Sequence, residues 1–298
     1  MERTSTDGFQ DIFTPELTAD GSFTFFSAEF GETFHSRQGA YQEAQMKFVE
    51  PTHLAQKAQQ PKLHLLDICY GLGYNTAAAL ETIWAVNPSC CVEWVGLELD
   101  LTVAPAAIAH HLLNRWSEPI PQLLTQLARD LVVQTDRFRA QLLIGDGRQT
   151  IQPLCQSGFL ADAIFLDPFS PPHCPQMWTV EFLGLVAQCL KPDGRLATYS
   201  CAAAVRTALM AAGLKIGSTI PVGRRSPGTV ASFNTIDLPP LSREEQEHLQ
   251  TRAAIPYRDP SLRNGATEIL QQRQKLQQAS TLEPSSHWKK RWLSLLSK

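Results

Sequence analysis

The chain has 298 residues, of which 43% are apolar and 18% charged, and a formal net charge of −3 at pH 7. That balance describes a folded globular protein and excludes wholesale disorder and a generic polyanion binder. No apolar run reaches the roughly 20 residues of a helical membrane span, so no membrane segment is expected.

Residues 1–11 are polar and acidic, without the basic start and apolar stretch of a secretory signal, so the expected location is cytoplasmic. Ser22–Phe26 and Glu32–His35 predict short strands around a turn at Phe30-Gly31, and Tyr41–Leu54 has the apolar spacing of a helix. From Pro61 onward, apolar runs alternate with helical stretches. Strands are expected at 63–68, 92–97, 141–144, 163–166 and 195–200, and helices at 75–86, 104–113, 179–190 and 203–212. Lys215–Val222 and Thr229–Ile236 predict a closing hairpin around Ser226-Pro227-Gly228.

Such alternation implies a parallel sheet with right-handed crossovers. With the hairpin it gives an α/β, Rossmann-like protein with a mostly parallel seven-stranded sheet. Past Pro239-Pro240 the composition turns to Gln, Arg, Glu and Leu, which predicts helices. The expected organisation is an N-terminal extension packed on the core (1–60), a central domain (61–240) and a helical C-terminal extension (241–298). The last segment holds ten Lys/Arg against six Asp/Glu, which reads either as a nucleic-acid handle or as a solvated helical face. The seven cysteines, odd in number and without a CxxC pair, read as reduced, mostly buried thiols. No disulfide framework and no metal site are expected.

In open α/β sheets, ligands sit at the carboxyl ends of the strands, and in this chain acids and glycines stand there. Asp67 ends the first strand and is followed by Tyr70-Gly71-Leu72-Gly73. The glycines allow a sharp turn and close approach of backbone to ligand, and the run is not the GxGxxG of a dinucleotide site. Asp67 is placed to hold the amino group of a methionine moiety, through a water or a backbone contact. Glu98 ends the second strand and can accept hydrogen bonds from a ribose diol, with Asp100 as its competitor. Asp146, between Gly145 and Gly147, suits the exocyclic amine of adenine, the glycines leaving room for the flat ring. An Asx-turn explains the same residues without a ligand. Asp167 follows the fourth strand in Leu166-Asp167-Pro168-Phe169-Ser170-Pro171-Pro172. Three prolines stiffen the loop, so this carboxylate either orients an amine and takes its proton or belongs to a structural turn. Amino-acid tail, ribose and adenine together make S-adenosylmethionine (SAM), and a hairpin-closed sheet suits class I SAM-dependent methyltransferases.

At Phe165–Pro171, Pro175 and Met177-Trp178-Thr179 the chain resembles the methyltransferase domain of the bacterial MnmC family. The resemblance continues through Lys191–Tyr199, Val205-Arg206, Gly213-Leu214 and Gly223-Arg224-Arg225. Upstream it includes the cofactor turn Tyr70–Asn75 and the second-strand acid Glu98, and it spans roughly residues 20–235. It implies methylation by SAM of the aminomethyl group of 5-aminomethyl-(2-thio)uridine at the wobble position of tRNA. Asp167 would be catalytic, with cofactor contacts from Asp67, Tyr70, Gly71, Gly73, Asn75, Glu98, Asp146, Gly147 and Asp167. Double-headed members add a flavin oxidoreductase domain. This chain lacks a flavin-type GxGxxG, and its Pro256–Pro260 segment and helix-like Glu268–Gln278 are similar to stand-alone relatives.

Cys69 and Pro168 stand where double-headed enzymes have glycine, and His173-Cys174 replaces a basic and an amide residue. His173 reads as a proton acceptor or as a surface loop residue. A tRNA substrate needs phosphate contacts, for which Arg224 and Arg225 near the site mouth, and Lys289, Lys290 and Arg291, are the candidates. Trp288 and Trp292 would stack on bases or pack an amphipathic helix on the body. Two other functions suit the same sequence: transfer to a different amine, and RNA binding without turnover.

Overall fold

The computed structural model describes residues 13–222 and 226–296. Strands β1 (Pro15–Leu17), β2 (Phe23–Ser27) and β3 (Glu32–Thr33) form a small antiparallel sheet. Phe25 of β2 is fully buried, whereas Phe23 and Phe26 remain partly exposed. The helix expected over 41–54 is broken up. Helix α1 (Ala40–Glu43) runs into a π-helical stretch, Ala44–Val49, and α2 (Leu54–Lys57) follows a turn.

The main sheet comprises β4 (Lys62–Ile68), β5 (Cys91–Glu98), β6 (Val132–Gln134), β7 (Phe138–Ile144), β8 (Ala161–Leu166), β9 (Leu190–Thr198), β10 (Lys215–Ser218) and β11 (Thr229–Ser232). Their order is β10-β11-β9-β8-β4-β5-β7-β6, with β9, β8, β4, β5 and β7 mutually parallel. Helices α3 (Tyr74–Val86), α4 (Val103–Ala109), α5 (Ile120–Asp130), α6 (Gly147–Gln156), α7 (Val180–Gln188) and α8 (Ala203–Ala211) connect them. The α/β, mostly parallel class is as expected. The sheet has eight strands rather than seven because β6 pairs antiparallel on the outer edge of β7.

Strand β4 shows why the centre reads as continuous apolar sequence. Leu63 and Leu65 pack into one layer with Ala77, Leu80 and Ile83 of α3. Leu66 and Ile68 point the other way, against Phe182 and Leu183 of α7 and Val205 of α8. Side chains alternate across a strand, and a parallel sheet covered on both faces needs apolar residues at both phases. The thiols are free, but only Cys90, Cys174 and Cys189 are buried and the other four are half-exposed, so burial is less general than expected.

Beyond the sheet come α9 (Arg243–His248), capped by a Ser242–Glu245 capping box, α10 (Ala266–Ala279) and α11 (Ser285–Leu296). This segment is tied to the core. Val180 N–H donates to Tyr257 O (3.1 Å), and Tyr257 and Ile269 enter the α7–α8 layer. Arg148 of α6 donates to Asp259 Oδ2 (2.7 Å) and to Asn264 O (2.8 Å), and Asp259 is fully buried. Removing one partner of a buried pair leaves an uncompensated charge. Arg148→Ala is therefore expected to lower unfolding stability by about 3–5 kcal/mol, read as a shifted urea midpoint. An unchanged midpoint would mean that this pair does not hold the C-terminal segment.

Candidate active site

Strand β4 lies between β5 and β8, so the connections on either side of it diverge and open a crevice at the carboxyl ends of the strands. The chain leaves β4 through a tight turn in which Cys69, Gly71 and Gly73 all have left-handed φ values (64°, 57° and 84°). At Cys69 a side chain accepts a conformation that costs of order 1–3 kcal/mol. Gly73 has no room for a side chain, since a Cβ there would lie 2.6 Å from the Tyr70 hydroxyl.

The crevice holds a mostly apolar cavity. Its wall includes Gly71, Glu98, Asp146, Gly147, Asp167 and Met177. Five of the residues read from the sequence thus converge on one space. Asp67, Tyr70, Gly73 and Asn75 lie behind its wall instead. Asp67 is fully buried; its Oδ2 accepts from Thr76 Oγ1 (2.6 Å) and its Oδ1 meets no partner. The Tyr70 ring packs edge-on against Trp94, with centroids 5.3 Å apart. Asn75 Nδ2 donates to Asp167 Oδ2 (2.8 Å).

The wall acids already carry hydrogen bonds. Glu98 accepts from Gly71 N at Oε2 (2.8 Å) and from Leu99 N and Asp100 N at Oε1 (2.8 and 3.0 Å). A carboxylate offers about four lone-pair directions, so Glu98 keeps one on Oε2, enough for a single hydroxyl and short of a two-pronged grip. Asp146 caps α6 and is forked by the Arg148 guanidinium, with Nη2 to Oδ2 at 2.7 Å.

Asp167 stands at the most constrained point. Its N–H donates to Ile68 O (3.0 Å), extending the β4–β8 ladder. The residues after it are fixed one by one. Tyr199 donates to Pro168 O (2.8 Å) and Trp178 Nε1 to Phe169 O (2.8 Å), while Ser170 N and Oγ both donate to Glu32 (2.9 and 2.6 Å). The Phe169 ring stacks on Phe30 and meets Phe34 edge-on. On the far side of Phe34, Asp167 and Phe169 lies a second cavity, walled also by Phe26, His35 and Glu43. Nothing in the local sequence marks Glu32, His35 or Glu43 as parts of this site, because Ser170 and Asp167, which Glu32 and His35 approach, lie more than a hundred residues away in the chain. His173 is half-exposed beside Glu32 (3.9 Å) and lines neither cavity, which favours its reading as a surface loop residue.

Arg224 and Arg225 lie outside the described residues. Lys289 and Lys290 are exposed on α11, whereas Arg291 is paired with Glu247 (2.6 Å) and Glu283 (3.0 Å). Trp288 is buried and stacks on His248, and Trp292 Nε1 donates to Glu247 (3.0 Å). Base stacking by Trp288 is therefore corrected to packing of an amphipathic helix. Among the described residues no helix is long and apolar enough to cross a membrane.

A mostly parallel sheet with acids at the ends of three parallel strands around one cavity is the site of a class I SAM-dependent methyltransferase. Comparison with known proteins agrees. Residues 105–234 match the family described as S-adenosyl-L-methionine-dependent methyltransferase. The crystal structure of MnmC2 from Aquifex aeolicus is 34% identical, with a TM-score of 0.77, covering 88% of this chain and 83% of that one. The tRNA 5-methylaminomethyl-2-thiouridine biosynthesis bifunctional protein MnmC of Methylibium petroleiphilum is 31% identical over 76% of this chain, which spans 36% of its length. An uncharacterized protein of Methanocaldococcus jannaschii is 28% identical over 86% of this chain and 70% of its own. The chain belongs to the MnmC methyltransferase family and uses SAM, which sets aside the reading as an RNA-binding protein without turnover.

Burial pushes the Asp67 carboxyl up to about 7; the Thr76 hydrogen bond opposes the shift and the nearby Glu98 adds to it. A carboxyl whose folded pKa exceeds its unfolded value contributes stability at low pH that is lost as pH rises through the folded pKa. For Asp67 the window runs from about 4 to about 7. Asp67→Asn cannot ionise, so its melting temperature relative to wild type is expected to rise between pH 5 and pH 8. A difference independent of pH would show that Asp67 stays charged in the fold.

Proposed function

We propose that the protein methylates the aminomethyl group of 5-aminomethyl-(2-thio)uridine at the tRNA wobble position. The observation that carries this reading is that Asp167 lines both cavities, so groups bound in the two spaces meet at one carboxylate. The acceptor class comes from the bifunctional relatives, whose names specify 5-methylaminomethyl-2-thiouridine in tRNA.

The residues of the first cavity suit SAM. Leu97, Leu99, Phe169 and Met177 offer apolar faces to a purine, and Glu98 Oε2 has room for one ribose hydroxyl. Asp146 on the same wall suits an exocyclic amine, and Gly71 and Gly147 leave room for a ligand beside the backbone. Asp67, Tyr70, Gly73 and Asn75 support the turn and the Asp167 carboxylate from behind. When bound, SAM supplies an electrophilic methyl carbon: the amine lone pair forms the new N–C bond while the C–S pair stays on sulfur. An alkylamine has a pKa of about 10, so Asp167 orients the amine and accepts the proton it must lose before its lone pair is available. The Asn75 hydrogen bond and the pinned loop hold this carboxylate in place.

In this reading residues 1–60 complete the acceptor side, 61–240 bind SAM, and 241–298 buttress the core. Phosphate contacts fall to Arg224, Arg225, Lys289 and Lys290, and less to Arg291, whose charge is shared with two glutamates.

Nucleoside mass spectrometry of tRNA from cells lacking the gene tests the substrate. Unmethylated aminomethyluridine is expected to accumulate, and an unaltered nucleoside profile would reject the proposal. Asp167→Ala is expected to slow transfer by roughly 10²–10⁴-fold with SAM affinity still measurable by calorimetry. Undiminished turnover would remove Asp167 from the chemistry.

A further inference from the structure

We propose that the second cavity is the acceptor pocket, and that it grips a primary amine between Asp167, Glu43 and His35. The inference rests on the amine-methylation reading above and adds the residues that recognise the amine.

Glu43 and His35 come from the N-terminal extension, and both line the cavity with Asp167. His35 is 5% exposed, and its Nδ1 is buried without a hydrogen-bond partner. That nitrogen lies 3.9 Å from Glu43 Oε2 and 4.0 Å from Asp167 Oδ2. Both distances are too long for a direct hydrogen bond. They are within the span that one nitrogen about 2.9 Å from each of two acceptors can bridge, with bent hydrogen bonds. A buried acceptor left unsatisfied is destabilising, and a donor brought by the ligand would satisfy it. Burial pushes the imidazole down to about 4, so the ring is neutral at physiological pH and one nitrogen is available to accept.

The chemistry selects the ligand class. Two carboxylates and a neutral imidazole nitrogen repel an anion and offer three acceptors, the number of N–H groups on a primary ammonium. Glu43 is held for this by Ser36 N, which donates to its Oε2 (2.8 Å), and Asp167 by Asn75. At the cavity wall Phe26 remains 45% exposed and gives a pyrimidine ring a face on which to stack. One ammonium proton passes to the Asp167 carboxylate. The two remaining N–H groups donate to Glu43 and His35, which turns the lone pair toward the first cavity. The N–C bond then forms as the C–S bond breaks, leaving a secondary ammonium and a neutral thioether, and Asp167 returns its proton to water.

The test uses the full chain, methyl-labelled SAM and tRNA bearing aminomethyluridine. His35→Phe keeps the ring shape without its nitrogens, and Glu43→Gln keeps an oxygen acceptor for Ser36 N. In each variant kcat/KM for tRNA is expected to fall by roughly 10–100-fold, while SAM affinity stays within about twofold and the melting temperature shows that the fold is intact. Wild-type kcat/KM in both variants would overturn the proposal. If wild type ignores this tRNA yet methylates another primary amine with the same losses in both variants, the tRNA reading falls and the amine pocket stands. If wild type accepts no primary amine, both fall.

Discussion

A carboxylate between two cavities is useful only if it cannot turn away, and the structure around Asp167 is arranged for that constraint. Its backbone continues the β4–β8 hydrogen-bond ladder through Ile68, and its side chain is held by Asn75. The following residues are fastened by groups from unrelated parts of the chain: Tyr199 after β9, Trp178 before α7, and Glu32 of β3. Each such bond contributes only about 1 kcal/mol net. Taken together they remove the loop's freedom before any ligand arrives, which is what electrostatic preorganisation requires. Three prolines alone would stiffen the chain without deciding where its carboxylate points.

The first cavity and the layer behind its wall gather carboxyls that the protein leaves only partly compensated. Burial raises both Asp67 and Glu98 above the usual carboxylate range. Glu98 is held by three backbone N–H groups rather than by a cation, and Asp67 by a single hydroxyl. Carboxyls raised by burial are complementary to a positively charged ligand, since a nearby opposite charge favours the ionised carboxylate. In the proposed function a sulfonium on one side of Asp167 and an ammonium on the other would both be cations, so the electrostatics of the two cavities would point the same way.

Much of this was legible in the sequence, for a physical reason. A buried parallel strand is short and apolar, and its carboxyl end is where a polar residue first becomes useful, so Glu98, Asp146 and Asp167 stood out. Asp67 stood out equally and proved to lie behind the cavity, because position at a strand end does not say which way the side chain turns. Helix α5 was missed although its signal was present: Ile120, Leu124 and Leu127 recur at helical spacing and are the residues it buries. Strand β6, with three residues, carries too little pattern to be seen. The turn at Cys69 shows another limit, since a left-handed φ on a non-glycine residue leaves no mark in composition. The largest gap is the second cavity. Glu32, His35 and Glu43 look like ordinary polar residues of a small sheet and a short helix, and only tertiary packing brings them to Asp167.

The C-terminal segment shows how a true count of charge can mislead about place. Its excess of basic residues suggested a handle for nucleic acid, yet several of them are engaged within the protein. Arg258 pairs with Glu181 of α7, Arg243 and Arg291 with Glu247, and Arg273 lies over the Tyr257 ring while donating to the carbonyls of Ile255 and Ala253. The acids of this segment reach inward too, Asp259 meeting Arg148 beside the Asp146 cap. Arginine suits such work because its planar fork satisfies carbonyls and carboxylates together. Lysine is a compact, strongly hydrated charge that stays in water at less cost, as Lys289 and Lys290 do. On this surface Arg258, Arg273 and Arg291 serve attachment while Lys289 and Lys290 remain exposed charge, a distinction that the net charge of the segment does not make.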